Sequence, residues 1–207
     1  TWKSYKDKEK NKLNDEQKQV FEKILNSDKK GFLLKGVTGS GKTEVYMNLA
    51  SEVLKSNKSV IMLVPEISLT PQMIERFKGR FGVNVALFHS KLSQGERFDE
   101  WFRVKRGEVK LVVGARSAIF LPLKDLGLII IDEEHENTYK SEQNPKYKTK
   151  EVAEFLSEIK NCKYILGSAT PSIESYYEAM EGKLEFLEMK NRVKNLPMPS
   201  METVDMR

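Results

Sequence analysis

With 207 residues, 35 Lys and Arg against 30 Asp and Glu, and a formal charge of +5, the chain is long enough for one α/β domain of ordinary size or two small ones, and its mildly basic balance suits a polyanionic partner without demanding one. The single cysteine, Cys162, forbids an internal disulfide and suits a reducing compartment, and two histidines, His89 and His135, leave too few soft ligands for an ordinary structural zinc site. No apolar run approaches the roughly 20 residues that cross a membrane, and no charged-then-apolar leader opens the sequence, so secreted, membrane-spanning and zinc-stapled classes are not expected.

Residues Thr1–Lys12 carry five Lys against two acids and little that packs, which predicts a solvated basic arm. A helix is predicted over Asn14–Asn26, opened by Asn14 with Gln17 as a capping box. A short apolar strand follows at Gly31–Lys35, then a Gly-rich turn and a helix from about Gly41 to Ser56. The strand Ser59–Val64, a helix from about Thr70 to Arg80 and the strand Asn84–Phe88 come next. Ser93 with Glu96 forms a second capping box for a helix reaching about Lys105, in which at least one of Trp101 and Phe102 is expected to pack into the core. Strands at Val109–Val113 and Gly127–Ile131 precede a polar stretch, a helix at Lys150–Lys160, the strand Lys163–Leu166, a helix near Ser172–Glu181 and an edge strand at Leu184–Leu187. The tail Asn191–Arg207, with Pro197 and Pro199, reads as an exit linker. Strands such as Leu126–Ile131 are apolar at consecutive positions, which marks a sheet covered on both faces, and the alternation of strand and helix predicts a mainly parallel, doubly wound α/β sheet.

The strongest chemical signal is Gly36-Val37-Thr38-Gly39-Ser40-Gly41-Lys42-Thr43, which fits G-x-x-x-x-G-K-[ST] between a strand and a helix. Its glycines let backbone N–H groups turn inward toward a phosphate chain, and the helix N-terminus adds its positive end. Lys42 is placed for the β/γ-phosphates and the Thr43 hydroxyl for a Mg²⁺ shell. A second signal, Asp132-Glu133-Glu134-His135, follows a buried strand directly, where ligands of open α/β sheets bind. Asp132 is placed to hold Mg²⁺ and Glu133 to orient or deprotonate an attacking water. Neither a transporter-type LSGGQ nor a guanine-reading NKxD accompanies the loop.

Read in order, Gln17, the P-loop, Val64-Pro65-Glu66, Gly114-Ala115-Arg116-Ser117, Asp132–His135 and Gly167-Ser168-Ala169-Thr170 form a superfamily 2 helicase series. With the longer strings Val64–Gln72, Phe88–Arg97, Gly114–Leu123, Leu126–Lys140 and Leu166–Ser175, the chain resembles the bacterial replication-restart helicases of the PriA type. The resemblance implies a RecA-like P-loop domain and an ATP- and Mg²⁺-dependent 3′→5′ DNA helicase of the cytoplasm. Its implied partners are single-stranded and forked DNA, other primosome proteins and single-stranded DNA-binding protein, with no membrane. It implies that Leu13–Lys190 is the first helicase lobe of a longer protein whose zinc-binding insertion and second lobe lie elsewhere. Gln17 would then read the adenine edge, although its capping-box role accounts for it equally. Lys42, Asp132, Glu133 and His135 would be catalytic, with His135 linked to Ser168 and Thr170, while His89 reads as a strand-end residue. Arg116 would meet a DNA phosphate or form a surface ion pair. Tyr139, Lys140, Tyr147 and Lys148 would make an aromatic and basic loop, mobile before DNA arrives, that stacks bases and reports to the ATP site. Tyr147–Glu151 departs from the family pattern, so no role attaches to residues 149–151. Two other readings stay open: a nucleotide-binding module with little turnover, and a P-loop enzyme acting on a small molecule.

Overall fold

A computed structural model describes residues 12–142 and 144–193. The elements in chain order are α1 (Asp15–Asn26), β1 (Gly31–Gly36), α2 (Lys42–Lys55), β2 (Ser59–Leu63), α3 (Pro71–Phe81), β3 (Val85–Phe88), α4 (Gln94–Arg106), β4 (Leu111–Gly114), β5 (Leu126–Asp132), β6 (Lys140–Ser141), β7 (Tyr147–Lys148), α5 (Thr149–Lys160), β8 (Lys163–Ser168), α6 (Ile173–Met180) and β9 (Glu185–Met189). Both capping boxes form: Asn14 with Gln17 closes the start of α1, and Ser93 with Glu96 the start of α4.

Seven strands make one sheet in the order β3-β4-β2-β5-β8-β1-β9, and every pairing in it is parallel. The expected doubly wound sheet is therefore present. Consecutive apolar residues feed two separate cores. Leu128 and Ile130 join Val60, Met62, Phe32 and Leu34 under α1, α2 and α3, while Ile129 and Ile131 join Ile61, Leu63 and Leu33 under α4, α5 and α6. Truncating such a residue, Ile130→Ala for example, costs about 2–5 kcal/mol. Trp101 packs on the second core, as the sequence suggested for one of the pair in α4. At Gly167 any side chain would strike the Tyr46 hydroxyl, so β8 and α2 approach as closely as they do only because that position lacks a Cβ.

Two expectations are revised at the margins of the sheet. The edge strand starts at Glu185 and runs to Met189, parallel to β1, and the chain beyond it does not leave the domain at once. Val37 N–H donates to Met189 O (3.2 Å), Val193 N–H donates to Gly39 O (2.9 Å), and the Glu16 carboxylate accepts from Lys190 N (2.8 Å) and Asn191 N (3.2 Å). Asn191–Val193, read from sequence as the start of a linker, is thus laid against the P-loop. The basic arm lies outside the described residues except for Lys12, as does the remainder of the tail from 194 on.

Candidate nucleotide site at the C-terminal edge of the sheet

Because the strands run the same way, their C-terminal ends share one edge. Gly36, Leu63, Gly114, Asp132 and Ser168 end five of them, and the residues singled out in the sequence follow at once. The P-loop leaves β1, turns through left-handed Gly39 (φ 82°) and Gly41 (φ 81°), and delivers Lys42 as the first residue of α2. Lys42 is 8% exposed; its Nζ donates to Gly36 O (2.8 Å) and lies 3.7 Å from Glu133 Oε1. Ser40 is buried and its Oγ has no hydrogen-bond partner among the described residues. Thr38 and Gly39 face solvent, Val37 and Thr43 are half-buried, and the cleft around the loop measures about 630 Å³.

Gln17 is buried and doubly engaged. Its Oε1 accepts from Asn14 N (3.0 Å) in the capping box, and its Nε2 donates to Ser40 O at 3.1 Å. It is therefore a brace between α1 and the P-loop, and it lines the cleft from that position.

Asp132 closes β5. Burial first, and then the negative charge of Glu133, push its carboxyl up to about 6, while Lys42 and a hydrogen bond from the Tyr46 hydroxyl (3.2 Å) pull the other way. Glu133 adopts φ 49°, a left-handed conformation unusual for a residue with a Cβ, and so turns the chain back across the end of β8. Glu134 N–H then donates to Gly167 O (3.0 Å). The Glu134 carboxylate accepts from Ser172 N (2.6 Å), Ser172 Oγ (3.0 Å) and Ser175 Oγ (3.0 Å), which fixes the start of α6. His135 Nδ1 is hydrogen-bonded to Ser168 Oγ at 2.8 Å, and the same oxygen accepts from Thr170 N at 2.9 Å. His135, Ser168 and Thr170 are thus brought together, through a buried serine and the threonine's backbone rather than its side chain.

The loop from Glu136 to Lys148 departs most from expectation. It contains a short 3₁₀ turn, Asn137–Tyr139, and the antiparallel pair β6–β7. Tyr139 is 5% exposed; its hydroxyl donates to Asp132 O (2.7 Å), and its own carbonyl accepts from the buried Thr149 hydroxyl (2.8 Å). Burial drives the Tyr139 phenol well above its ordinary value, so it stays protonated and donating. A tyrosine held this way is part of the core and is not presented to a base. Arg116 is half-buried: Nη1 donates to Thr138 O (3.1 Å) and Lys140 O (2.5 Å), so it braces the loop and forms no surface ion pair among the described residues. Lys140 and Lys148 are exposed, and half-buried Tyr147 sits edge-on to Phe120 at 5.0 Å. His89 is half-buried just beyond β3, away from the P-loop cleft.

Sequence reasoning missed Glu44, Tyr46, Arg76 and Arg80. Glu44 carried a usable signal: it opens a helix whose next residues, Val45, Tyr46, Met47 and Asn48, are all buried, so a charge there demands a partner.

A parallel sheet with a Gly-rich loop, an invading lysine and a carboxylate at the end of a strand one place removed, with β8 between, defines a P-loop nucleotide-binding domain of RecA-like architecture. The DEAD/DEAH box helicase model matches residues 14–179, and the chain belongs to that family. Within it, the chain is 57% identical over 199 residues to the replication restart protein PriA of Bacillus subtilis, covering 94% of this chain and 25% of that protein. It is 48% identical to the PriA protein of a Synechocystis species, over 84% of this chain and 22% of that one. The resemblance read from the sequence is thereby borne out, and the chain spans about a quarter of the length of these relatives. Among solved structures, RecG bound to a three-way DNA junction aligns with a TM-score of 0.63 at 24% identity, covering 94% of this chain and 25% of that one. The Pyrococcus furiosus Hef helicase domain aligns at 0.58 and 20%, covering 86% and 38%. Both show the fold.

Proposed function

We propose that this chain is the first, ATP-binding lobe of an ATP-dependent 3′→5′ DNA helicase that acts in replication restart and primosome assembly. The observation that carries the reading is the meeting of Lys42 from the P-loop with Glu133 from the end of β5, 3.7 Å apart, in one cleft with Thr43 and Asp132. The 57% identity to a replication restart protein supports the cellular role.

The residues fit a nucleotide with a divalent ion. The glycines leave a cradle that a Cβ would fill at Gly36, buried Ser40 Oγ is a free hydrogen-bonding group beneath it, and the amine of Lys42 can exchange a neutral carbonyl for phosphate. Residues 36–43 would take the phosphates and Gln17 the adenine side. Thr43 and Asp132 would hold Mg²⁺, which supplies charge neutralisation on the phosphates. Glu133 would orient the attacking water and accept its proton. His135, Ser168 and Thr170 would pass the state of the site to the end of β8. Exposed Lys140, Lys148 and half-buried Tyr147 would face single-stranded or forked DNA, with Tyr139 and Arg116 holding the loop. Other primosome proteins and single-stranded DNA-binding protein are the partners that the relatives' role suggests.

Superfamily 2 motors close ATP between two lobes, and losing a trans arginine costs about 10³–10⁵ in rate. The chain alone should therefore bind adenine nucleotide with Mg²⁺ and hydrolyse it slowly. The test compares ATP binding and hydrolysis by this chain and by the full-length protein, each with and without single-stranded DNA. Nucleotide binding by the chain, together with DNA-stimulated turnover only in the full-length protein, is expected. Turnover by the chain equal to that of the full-length protein, or no DNA stimulation in either, overturns the reading.

A further inference from the structure

Glu44 and Arg76 belong to none of the patterns that identified the site, yet both line the P-loop cleft. Glu44 sits directly after the Lys42-Thr43 pair, on a turn of α2 whose side chains are buried. Its Oε1 accepts from Arg80 Nη1 at 2.6 Å and from Asn48 Nδ2 at 3.2 Å, and its Oε2 accepts from Arg76 Nη2 at 2.7 Å. The Arg80 side chain is 3% exposed and that of Glu44 8%, so these two compensate each other inside the protein. Arg76 therefore brings a second positive charge to a carboxylate already matched, on a side chain 47% exposed.

An ordinary surface ion pair is worth little and needs no buried partner. Here one nitrogen of the guanidinium is held by a rigid carboxylate while the half-exposed remainder borders the same cleft as Lys42 and Asp132. α3 itself is anchored by Phe77 and Phe81, both in the core. A planar, always-charged fork aimed in this way matches phosphate geometry better than an ammonium would.

We propose that Arg76 is a nucleotide-contacting residue that donates to the phosphate chain of the bound nucleotide, with Glu44 and Arg80 as its positioning pair. The proposal rests on the nucleotide-binding reading above. It adds a second cation, on α3, to the Lys42 of the P-loop, and it places the recognition on the phosphates rather than the base.

The experiment measures displacement of a fluorescent ATP analogue from the chain by ATP and by inorganic tripolyphosphate, with Mg²⁺, for the wild type, Lys42→Ala, Arg76→Gln and Arg76→Lys. In Arg76→Gln, affinity for ATP and for tripolyphosphate should fall together by about 10–100-fold, the worth of a charge-assisted hydrogen bond, with the melting temperature near wild type. Arg76→Lys should recover part of the loss. If the wild type binds neither probe, or Lys42→Ala binds both as well as the wild type, the nucleotide reading itself fails. If Lys42→Ala loses binding but Arg76→Gln keeps wild-type affinity for tripolyphosphate, the Arg76 proposal is overturned, and this holds equally where only ATP affinity falls. Should Arg76→Gln not fold, Arg76→Lys decides: several-fold weaker tripolyphosphate binding supports the contact, and unchanged binding removes it.

Discussion

On the P-loop side of Asp132, two side chains facing the cleft are lightly tied: Lys42 Nζ rests on Gly36 O, six residues away, with Glu133 Oε1 at 3.7 Å, and Ser40 Oγ lies buried with no partner among the described residues. On the other side, the contacts join distant parts of the chain. Arg116 holds the carbonyls of Thr138 and Lys140, Glu134 holds Ser172 and Ser175, His135 meets Ser168, and Tyr139 connects Asp132 to Thr149. A neutral carbonyl gives up an ammonium readily to a phosphate, because the charge-assisted bond is about twice as strong. Tyr139, buried and bonded at both its hydroxyl and its carbonyl, gives up nothing without breaking core packing. Lys42 and Ser40, proposed to meet the ligand, are thus tied loosely, whereas His135 and Tyr139, proposed to carry or support its signal, are tied to distant parts of the chain.

The largest effect should come from Glu133→Gln in the full-length protein. An amide keeps the size and hydrogen-bonding shape but accepts no proton, so steady-state ATPase should fall by about 10²–10⁴ while nucleotide affinity holds. Unchanged ATPase would break the assignment, and Glu134 would not be a ready substitute, because its carboxylate is engaged by Ser172 and Ser175. Lys42→Ala should lower nucleotide affinity by about 100-fold in equilibrium titration, with little change in melting temperature, if the P-loop contacts are as exchangeable as they look. A large fall in melting temperature would show instead that this lysine holds the fold.

Tyr139 tests the other side. Tyr139→Ala should destabilise the chain by about 3–5 kcal/mol in denaturant unfolding, the cost of emptying an aromatic site. Tyr139→Phe, which only removes the donor to Asp132 O, should cost about 0.5–1.5 kcal/mol. A neutral Tyr139→Ala would mean that the ring is not core.

Asp132 sharpens the contrast through pH. Its carboxyl, pushed up to about 6 by burial and Glu133, lies above the ordinary 3.8, so the native state binds this proton more tightly than the unfolded chain does. Its share of ligand-free stability is therefore gained as pH falls through 6 toward 4 and is lost above 6. Asp132→Asn, scanned without Mg²⁺ or nucleotide, should melt about 3–8 °C higher than wild type at pH 7.5 and with no gain at pH 4. Equal melting at both pH values would show that the carboxylate is at ease where it is.

The sheet was legible because its signals are local. Runs such as Leu126–Ile131 need no knowledge of their neighbours to read as doubly covered strands, and Asn14 and Ser93 announce their helices within four residues. The P-loop was legible for the same reason. The burial of Tyr139 was not, because nothing in a polar stretch reveals that β5 and Thr149 will close over one ring. The bracing by Arg116 was hidden in a similar way: its Nη1 donates to backbone carbonyls, which carry no sequence signature. Glu44 lay between these cases, detectable as a charge on a buried helix turn although its arginines are 32 and 36 residues away.

The run from Lys190 to Val193 bears on where this unit can be cut. A chain trimmed at Met189 would keep all seven strands of the main sheet. It would still lose the two backbone N–H groups that Glu16 accepts and the one that Gly39 O accepts, leaving the phosphate loop with less of its own backing. The boundary drawn by hydrogen bonding lies at least four residues past the boundary drawn by the sheet, and nucleotide affinity would register the difference where circular dichroism would not.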